Sequence, residues 1–247
     1  MNPAWLDAEG RLFNPHPRVS VMPLGTARPC VVLDDVLANP EGVVAWAAAR
    51  QHEFVPPPGN FYPGVVLELP EDVTRLVMDL LNVHARTRLG ARRTQGASLR
   101  LSMVTKRPQD LAPCQWQCHC DRIGAAPGRT MDIASVLYLF HDASLGGTSF
   151  YRPLRPDAEI SRLLDDSLQM DATAFGQRYG LGPGYMDGSN AYFERIGQAT
   201  AAWNRMIFYD GGMFHSGDIG GPQALHPDPR QGRLTMNGFF TCTTAAR

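Results

Sequence analysis

From Ala97 onward, short β-prone runs alternate with glycine- and proline-rich turns, and this pattern constrains the fold more than anything else in the chain. Residues 99–104 alternate weakly between apolar and polar. Residues 131–140 form a long run rich in β-branched and aromatic side chains, although period alone leaves a buried helix open there. Residues 205–209 lead into an Asp210-Gly211-Gly212 turn, and residues 234–241 make a last strand. Several short strands divided by such turns predict a β-sandwich or barrel.

Helices are expected around this β region. Cys30-Val31-Val32-Leu33 reads as a short strand. Asn39 as N-cap and Pro40 at the first helical position then open a helix through residues 41–47. A second helix is predicted over residues 70–89, where Val73, Leu76, Val77, Leu80 and Leu81 recur at helical spacing. Both are expected to pack outside a sheet. Between residues 156 and 202 the composition changes. Ile160, Leu163, Leu164 and Leu168 mark an amphipathic helix, and residues 179–190 are Gly/Tyr-rich and irregular. This segment reads as an insertion, either a lid over a site or a cover for the sheet. The expected organisation is one domain over 1–247, with flanking helices and a strand in 1–96. A mainly β core (α+β overall) follows in 97–241, interrupted by the insertion at about 156–202.

Composition excludes several classes. A chain of 247 residues, 44% hydrophobic, can bury a core without disulfides. Its formal net charge of -1 offers no electrostatic footprint for nucleic acid or an anionic membrane. The basic run over 86–93 is expected to be a solvated face at the end of the second helix. No basic stretch precedes an apolar one at the start, and no window approaches the roughly 18 apolar residues of a membrane span. Five cysteines, an odd number, fit a reduced compartment, so a cytoplasmic location is expected.

The chemistry centres on His119-Cys120-Asp121. In an extended strand successive side chains alternate, so His119 and Asp121 share a face and Cys120 points away. The same alternation would place Gln115 and Gln117 with the ligands, and Trp116 and Cys118 opposite. A thiolate zinc site built from Cys114, Cys118, His119 and Cys120 is the rival, but it lacks the paired Cys knuckles of structural zinc motifs. His215 follows a β-run and turn and is the preferred third ligand over His226, which lies in a loop between Pro222 and Pro227. His16, His52 and His84 have no partner pattern. Two histidines and a carboxylate on one face of an octahedral metal leave positions open for small molecules. Further on, Arg233, Thr235 and Asn237 alternate onto one face. Arginine offers a planar fork for a carboxylate, with the Thr235 hydroxyl beside it. Arg230 is the alternative clamp, in a Pro229-Arg230-Gln231-Gly232 turn.

These motifs, in this order, resemble the Fe(II)- and 2-oxoglutarate-dependent dioxygenases, particularly the prolyl-4-hydroxylase-like branch. The matching elements are His119-x-Asp121, the strand ending Leu137-Tyr138-Leu139-Phe140, Gly146-Gly147-Thr148-Ser149-Phe150, His215 and Arg233-x-Thr235. The opening Val32-Leu33-Asp34-Asp35-Val36-Leu37 before a helix also looks like such enzymes. There are departures: one residue fewer between the double glycine and the aromatic, a longer gap from His215 to Arg233, and the 156–202 insertion. The resemblance implies a double-stranded β-helix (jelly roll, cupin-like) with Fe(II) held by His119, Asp121 and His215. It implies 2-oxoglutarate as cosubstrate, with Arg233 and Thr235 on its distal carboxylate and Tyr138 touching it or lining the pocket, and O2 as oxidant. Hydroxylation of a small molecule, peptide residue or sugar-bearing molecule is the implied default, and the retained Asp121 leaves no vacancy for halide. Two other readings stay open: a metal enzyme on a cupin-like barrel without 2-oxoglutarate, and a non-catalytic ligand-binding barrel.

Overall fold

The structure, a computed structural model, describes residues 3–121 and 130–244. Among them ten strands form two antiparallel sheets. The larger runs in the order β1 (Arg18–Met22), β2 (Cys30–Asp34), β8 (Arg205–Asp210), β5 (Thr130–Tyr138), β10 (Leu234–Thr244), β4 (Ala91–Val104) and β3 (Gly64–Glu68). The smaller runs β7 (Phe193–Ala199), β6 (Thr148–Pro153), β9 (Phe214–Gly217). Four α-helices accompany them: α1 (Pro40–Ala49), α2 (Glu71–His84), α3 (Asp157–Gln169) and α4 (Ala172–Tyr179).

Alternation along the strands sorts the side chains into layers. One face of the larger sheet carries Leu99, Leu101, Met103, Ile133, Leu137, Met206, Phe208, Leu234 and Met236. These pack against Val43 and Ala47 of α1 and Val73, Val77 and Leu81 of α2. The opposite face presents Val32, Ala134, Tyr138, Ile207 and Tyr209 to Phe150 and Ala199 of the smaller sheet. Beyond the smaller sheet, Trp116, Cys118, Tyr151 and Phe193 pack against Ile160 and Leu163 of α3 and Phe175 of α4. Each such aliphatic or aromatic burial contributes roughly 1.5–3 kcal/mol before chain entropy is charged against it.

Local chemistry explains most boundaries. Asn39 caps α1 by accepting from the Gly42 N–H at 3.1 Å, and Pro40 is the first helical residue, as the sequence predicts. The second helix is shorter than expected. It ends at His84, and the Leu81 carbonyl accepts from both Ala85 and Arg86. Buried Leu89 and left-handed Gly90 (φ 76°) then swing the chain into β4. The basic run therefore crosses a turn and a strand, with Arg92 and Arg93 on β4 rather than in a last helical turn.

Two other expectations change. Strands β1, β2 and β3 come from the segment expected to flank the core, yet they hydrogen-bond into the larger sheet, β2 to β8 and β3 to β4. The 156–202 segment holds the expected helix and irregular stretch, but its end forms β7, which pairs with β6. Asn204 ties the N-terminal segment to this core. Its Oδ1 accepts from Leu37 N–H and its Nδ2 donates to Leu37 O, at 2.9 and 3.0 Å. No helix among the described residues is long and apolar enough to cross a membrane.

Candidate metal centre

Two backbone contacts bring the candidate ligands together. His119 and His215 exchange N–H···O hydrogen bonds of 3.0 and 2.8 Å in a single antiparallel bridge, which extends the edge of β9. Asp121 N–H donates to Gly211 O at 2.8 Å, so the Asp210-Gly211-Gly212 turn places the carboxylate. A Cβ on Gly211 would lie 3.4 Å from the Asp121 Oδ2, in van der Waals contact with the carboxylate.

The result is a compact donor set. His119 Nε2 lies 3.6 Å from Asp121 Oδ1, and His215 Nε2 lies 3.4 Å from Asp121 Oδ2. One ligand atom from each residue lies within 4.8 Å of the others. Donors at about 2.1 Å from a common octahedral ion would stand roughly 3 Å apart, so small side-chain adjustments close the set. Asp121 Oδ2 is buried and has no hydrogen-bond partner. A buried carboxylate oxygen is costly unless a cation or donor meets it, and two imidazoles facing it are the composition of a divalent-metal site.

Protonation favours the same use. His215 Nδ1 lies 2.9 Å from Met213 O. A carbonyl only accepts, so Nδ1 carries the proton and Nε2 keeps its lone pair toward Asp121. Burial pushes the His215 pKa down to about 4, outweighing the Asp121 charge that raises it. The ring is thus neutral near pH 7. Burial pushes the Asp121 carboxyl up, but His215, His119 and Arg100 together hold it below the usual carboxylate value. His119 is the open side of the group, with its side chain 57% exposed against 6% for His215. Tyr209 stands edge-on to the His215 ring, centroids 4.8 Å apart.

The remaining predicted residues take mixed positions. Arg233 is buried, and its Nε and Nη2 donate to Gly146 O and Gly147 O at 2.9 and 2.8 Å. The double glycine makes this cradle possible. A Cβ on Gly146 (φ 100°) would sit 1.3 Å from Asp218 O, and one on Gly147 would sit 2.1 Å from Ala199 O. Two of the fork's donors are thereby committed to backbone, and Nη1 is left for another acceptor. Thr235 is buried in register with Tyr138 on β5 and Ser102 on β4. The Tyr138 hydroxyl shares a 2.8 Å hydrogen bond with Thr148 Oγ1, and burial raises its pKa. Arg230 is mostly exposed near Asp228, and His226 accepts from Asp228 N–H; neither approaches the metal group.

The cysteines stay out of it. Among the described residues the group that could hold an ion contains His119, Asp121 and His215 and no thiol. Cys118 packs under α3 and α4, and burial raises its pKa well above the ordinary thiol value. The predicted strand alternation does not reach Gln115, which ends a 3-10 turn (Pro113–Gln115) and accepts from Ala112 N–H. Gln117 is buried, and neither side-chain amide atom has a partner.

Sequence reasoning missed Arg100, Tyr62 and Ser102. Arg100 and Ser102 share the face of Thr235, since Ser102 pairs Thr235 and Arg100 pairs Asn237. The available signal was an arginine set between Leu99 and Leu101 in a β-run, a charge where the opposite face is core. Tyr62 lies outside any strand and leaves no such mark.

Residues 15–240 match the family DUF6445, described as a family of unknown function. The chain belongs to this family. No curated protein matches this DUF6445 chain. Among solved structures it is similar to a Pseudomonas putida prolyl-4-hydroxylase, at 15% identity and TM-score 0.45, covering 88% of this chain and 94% of that one. It is also similar to HygX from Streptomyces hygroscopicus with nickel and 2-oxoglutarate bound, at 10% identity and TM-score 0.48, covering 89% and 84%. A third is the non-heme alpha ketoglutarate dependent epimerase SnoN from nogalamycin biosynthesis, at 14% identity and TM-score 0.43, covering 85% and 76%. The metal and 2-oxoglutarate belong to HygX.

Proposed function

We propose that the chain is an Fe(II)- and 2-oxoglutarate-dependent oxygenase that hydroxylates a C–H bond, built on a double-stranded β-helix formed by the two facing sheets. The observation that carries this reading is the convergence of His119, Asp121 and His215 around one point, with a buried carboxylate oxygen that makes no hydrogen bond. A facial set of two imidazoles and one carboxylate is the donor chemistry of non-heme Fe(II) oxygenases.

Bound Fe(II), with 2-oxoglutarate and O2, would supply the oxidising power: one oxygen atom enters the substrate as hydroxyl, and the other enters succinate as CO2 leaves. The protein's part is placement. His215, buried and neutral, offers Nε2 with its ring fixed by the Met213 carbonyl. Asp121 brings the negative charge that keeps the set selective for a cation, and as a retained carboxylate it favours hydroxylation over halogenation. His119 faces the open side and marks where substrate enters. Arg233, oriented by two backbone carbonyls, with Thr235 beside it, would meet the distal carboxylate of the cosubstrate. Tyr138, its hydroxyl already paired with Thr148, would line the pocket as a ring.

The test is iron-dependent conversion of 2-oxoglutarate to succinate by purified protein under air. Wild type should form succinate, and Asp121→Ala should form none above background. Absence of succinate from folded, iron-loaded wild type across a panel of small-molecule and peptide substrates would sink the proposal. The commitment of two Arg233 donors to backbone gives a second reading weight: a metal enzyme of the same triad that does not use 2-oxoglutarate. Arg233→Gln separates the two, because turnover indifferent to this change and to added 2-oxoglutarate supports the second.

A further inference from the structure

Arg100 is the charged side chain the metal centre leaves unexplained. It projects from β4 onto the inner face of the larger sheet, level with Asn237 on β10. Its guanidinium carbon stands 5.0 Å from the Phe239 ring centre and 5.7 Å from the Tyr62 ring centre. Its Nε is buried without a partner, and no described acidic side chain pairs with it. The contrast with Arg233, whose fork is tied to Gly146 and Gly147, is direct.

Aromatic rings and hydroxyl groups surround Arg100. The Tyr62 hydroxyl is buried with no hydrogen-bond partner, and so is the Ser102 hydroxyl. Both lie near Thr235, and the positive charges of Arg233 and Arg100 reach the Tyr62 oxygen. The buried Arg100 Nε is left without an acceptor, a cost that an anion would remove, and the neighbouring Tyr62 and Ser102 hydroxyls are able to donate as well. Guanidinium carries five N–H donors in a fork that matches a carboxylate, and stacking on aromatic rings holds the fork in one plane. Sheet register sets this group near the metal set, since Phe239 pairs with Ala134 and Ala134 with Tyr209, whose ring stands edge-on to His215. A ligand on Arg100 would therefore lie beside the candidate metal, on the side lined by Phe239.

We propose that Arg100, framed by Tyr62 and Phe239, is a second carboxylate-binding residue beside the candidate metal centre, distinct from Arg233, and that it selects substrates bearing a carboxylate. The choice of substrate over 2-oxoglutarate rests on the oxygenase reading; the anion subsite itself rests on the buried, partnerless Arg100 Nε held between two rings. Two molecules could bring that carboxylate, the primary substrate or 2-oxoglutarate.

Calorimetric titration separates these sources and needs no turnover. Wild type and Arg100→Gln, each shown folded by circular dichroism, are loaded with Mn(II) and titrated first with 2-oxoglutarate. Both are then saturated with 2-oxoglutarate and titrated with benzoate, an aromatic carboxylate matched to the ring-lined guanidinium. The expected result is benzoate binding to wild type that weakens roughly tenfold or more in Arg100→Gln, the loss of one charge-assisted contact, with 2-oxoglutarate affinity nearly unchanged. Arg100→Lys should recover part of it. Weakening of 2-oxoglutarate instead keeps the carboxylate subsite and overturns its assignment to the primary substrate. If neither ligand distinguishes wild type from Arg100→Gln, the subsite is overturned. If wild type binds no 2-oxoglutarate with Mn(II), the oxygenase reading fails on its own, and the benzoate arm on metal-free protein still decides Arg100.

Discussion

Single residues make up the candidate metal centre, and they differ in how plainly the sequence announces them. His119 and Asp121 are legible because an i, i+2 pair shares a face of any extended segment, even one as short as a single bridge. His215 is legible from the turn before it. Arg100 and Tyr62 are not, because one arginine in a strand and one tyrosine in a loop acquire meaning only when the sheet brings them together. Asp121 gives the sharpest residue-scale prediction. Its buried Oδ2 makes no hydrogen bond, so Asp121→Asn should leave metal-free stability within about 1 kcal/mol of wild type. Mn(II) at 100 times its dissociation constant should stabilise wild type by about 2.7 kcal/mol, and the variant not at all. Thermal melts with and without Mn(II) check both. Gly146→Ala should behave oppositely. With φ at 100° and a Cβ 1.3 Å from Asp218 O, it should cost about 2 kcal/mol or more in a urea melt and loosen the carbonyls that hold Arg233.

At the scale of elements, strongly periodic segments follow the sequence and context-dependent ones do not. Helix α1 follows it because Asn39-Pro40 encodes a cap and a first turn locally. Helix α2 ends five residues before the predicted limit, since Leu89 is drawn into the core and Gly90 reverses the chain. Strand β7 escapes notice because its alternation is broken by a bulge opposite Phe150 and Tyr151, and only pairing with β6 defines it. The inserted helices are more than a cover. Phe175 of α4 packs edge-on to Trp116 with ring centres 5.8 Å apart, three residues before His119. Phe175→Ala should therefore cost about 3–5 kcal/mol and also weaken Mn(II) binding, because the segment bearing two ligands loses its support. Unchanged metal affinity in a folded variant would show the insertion to be mechanically separate. Asn204→Ala should cost about 2–4 kcal/mol in the same melts, since two buried hydrogen bonds to Leu37 are lost and a φ of 57° suits asparagine better than alanine.

For the molecule as a whole, layers explain why distant segments form one site. Helices α1 and α2 cover one face of the larger sheet, the smaller sheet faces the other, and α3 and α4 close the outside. The candidate ligands arrive from residues 119–121 and from β9, joined where the smaller sheet's edge meets the turn after β8. A mainly antiparallel architecture was legible from the run of strands and turns. The entry of β1, β2 and β3 into the larger sheet was not, because strand neighbours across the whole chain are set by non-local packing rather than local pattern. We propose that this architecture assembles His119, Asp121 and His215 to hold Fe(II) with 2-oxoglutarate. Anaerobic addition of Fe(II) and 2-oxoglutarate to the purified protein tests it most directly. A weak visible charge-transfer band should appear in wild type and be lost in His119→Ala; no band in folded wild type, or an unchanged band in the variant, would contradict the account.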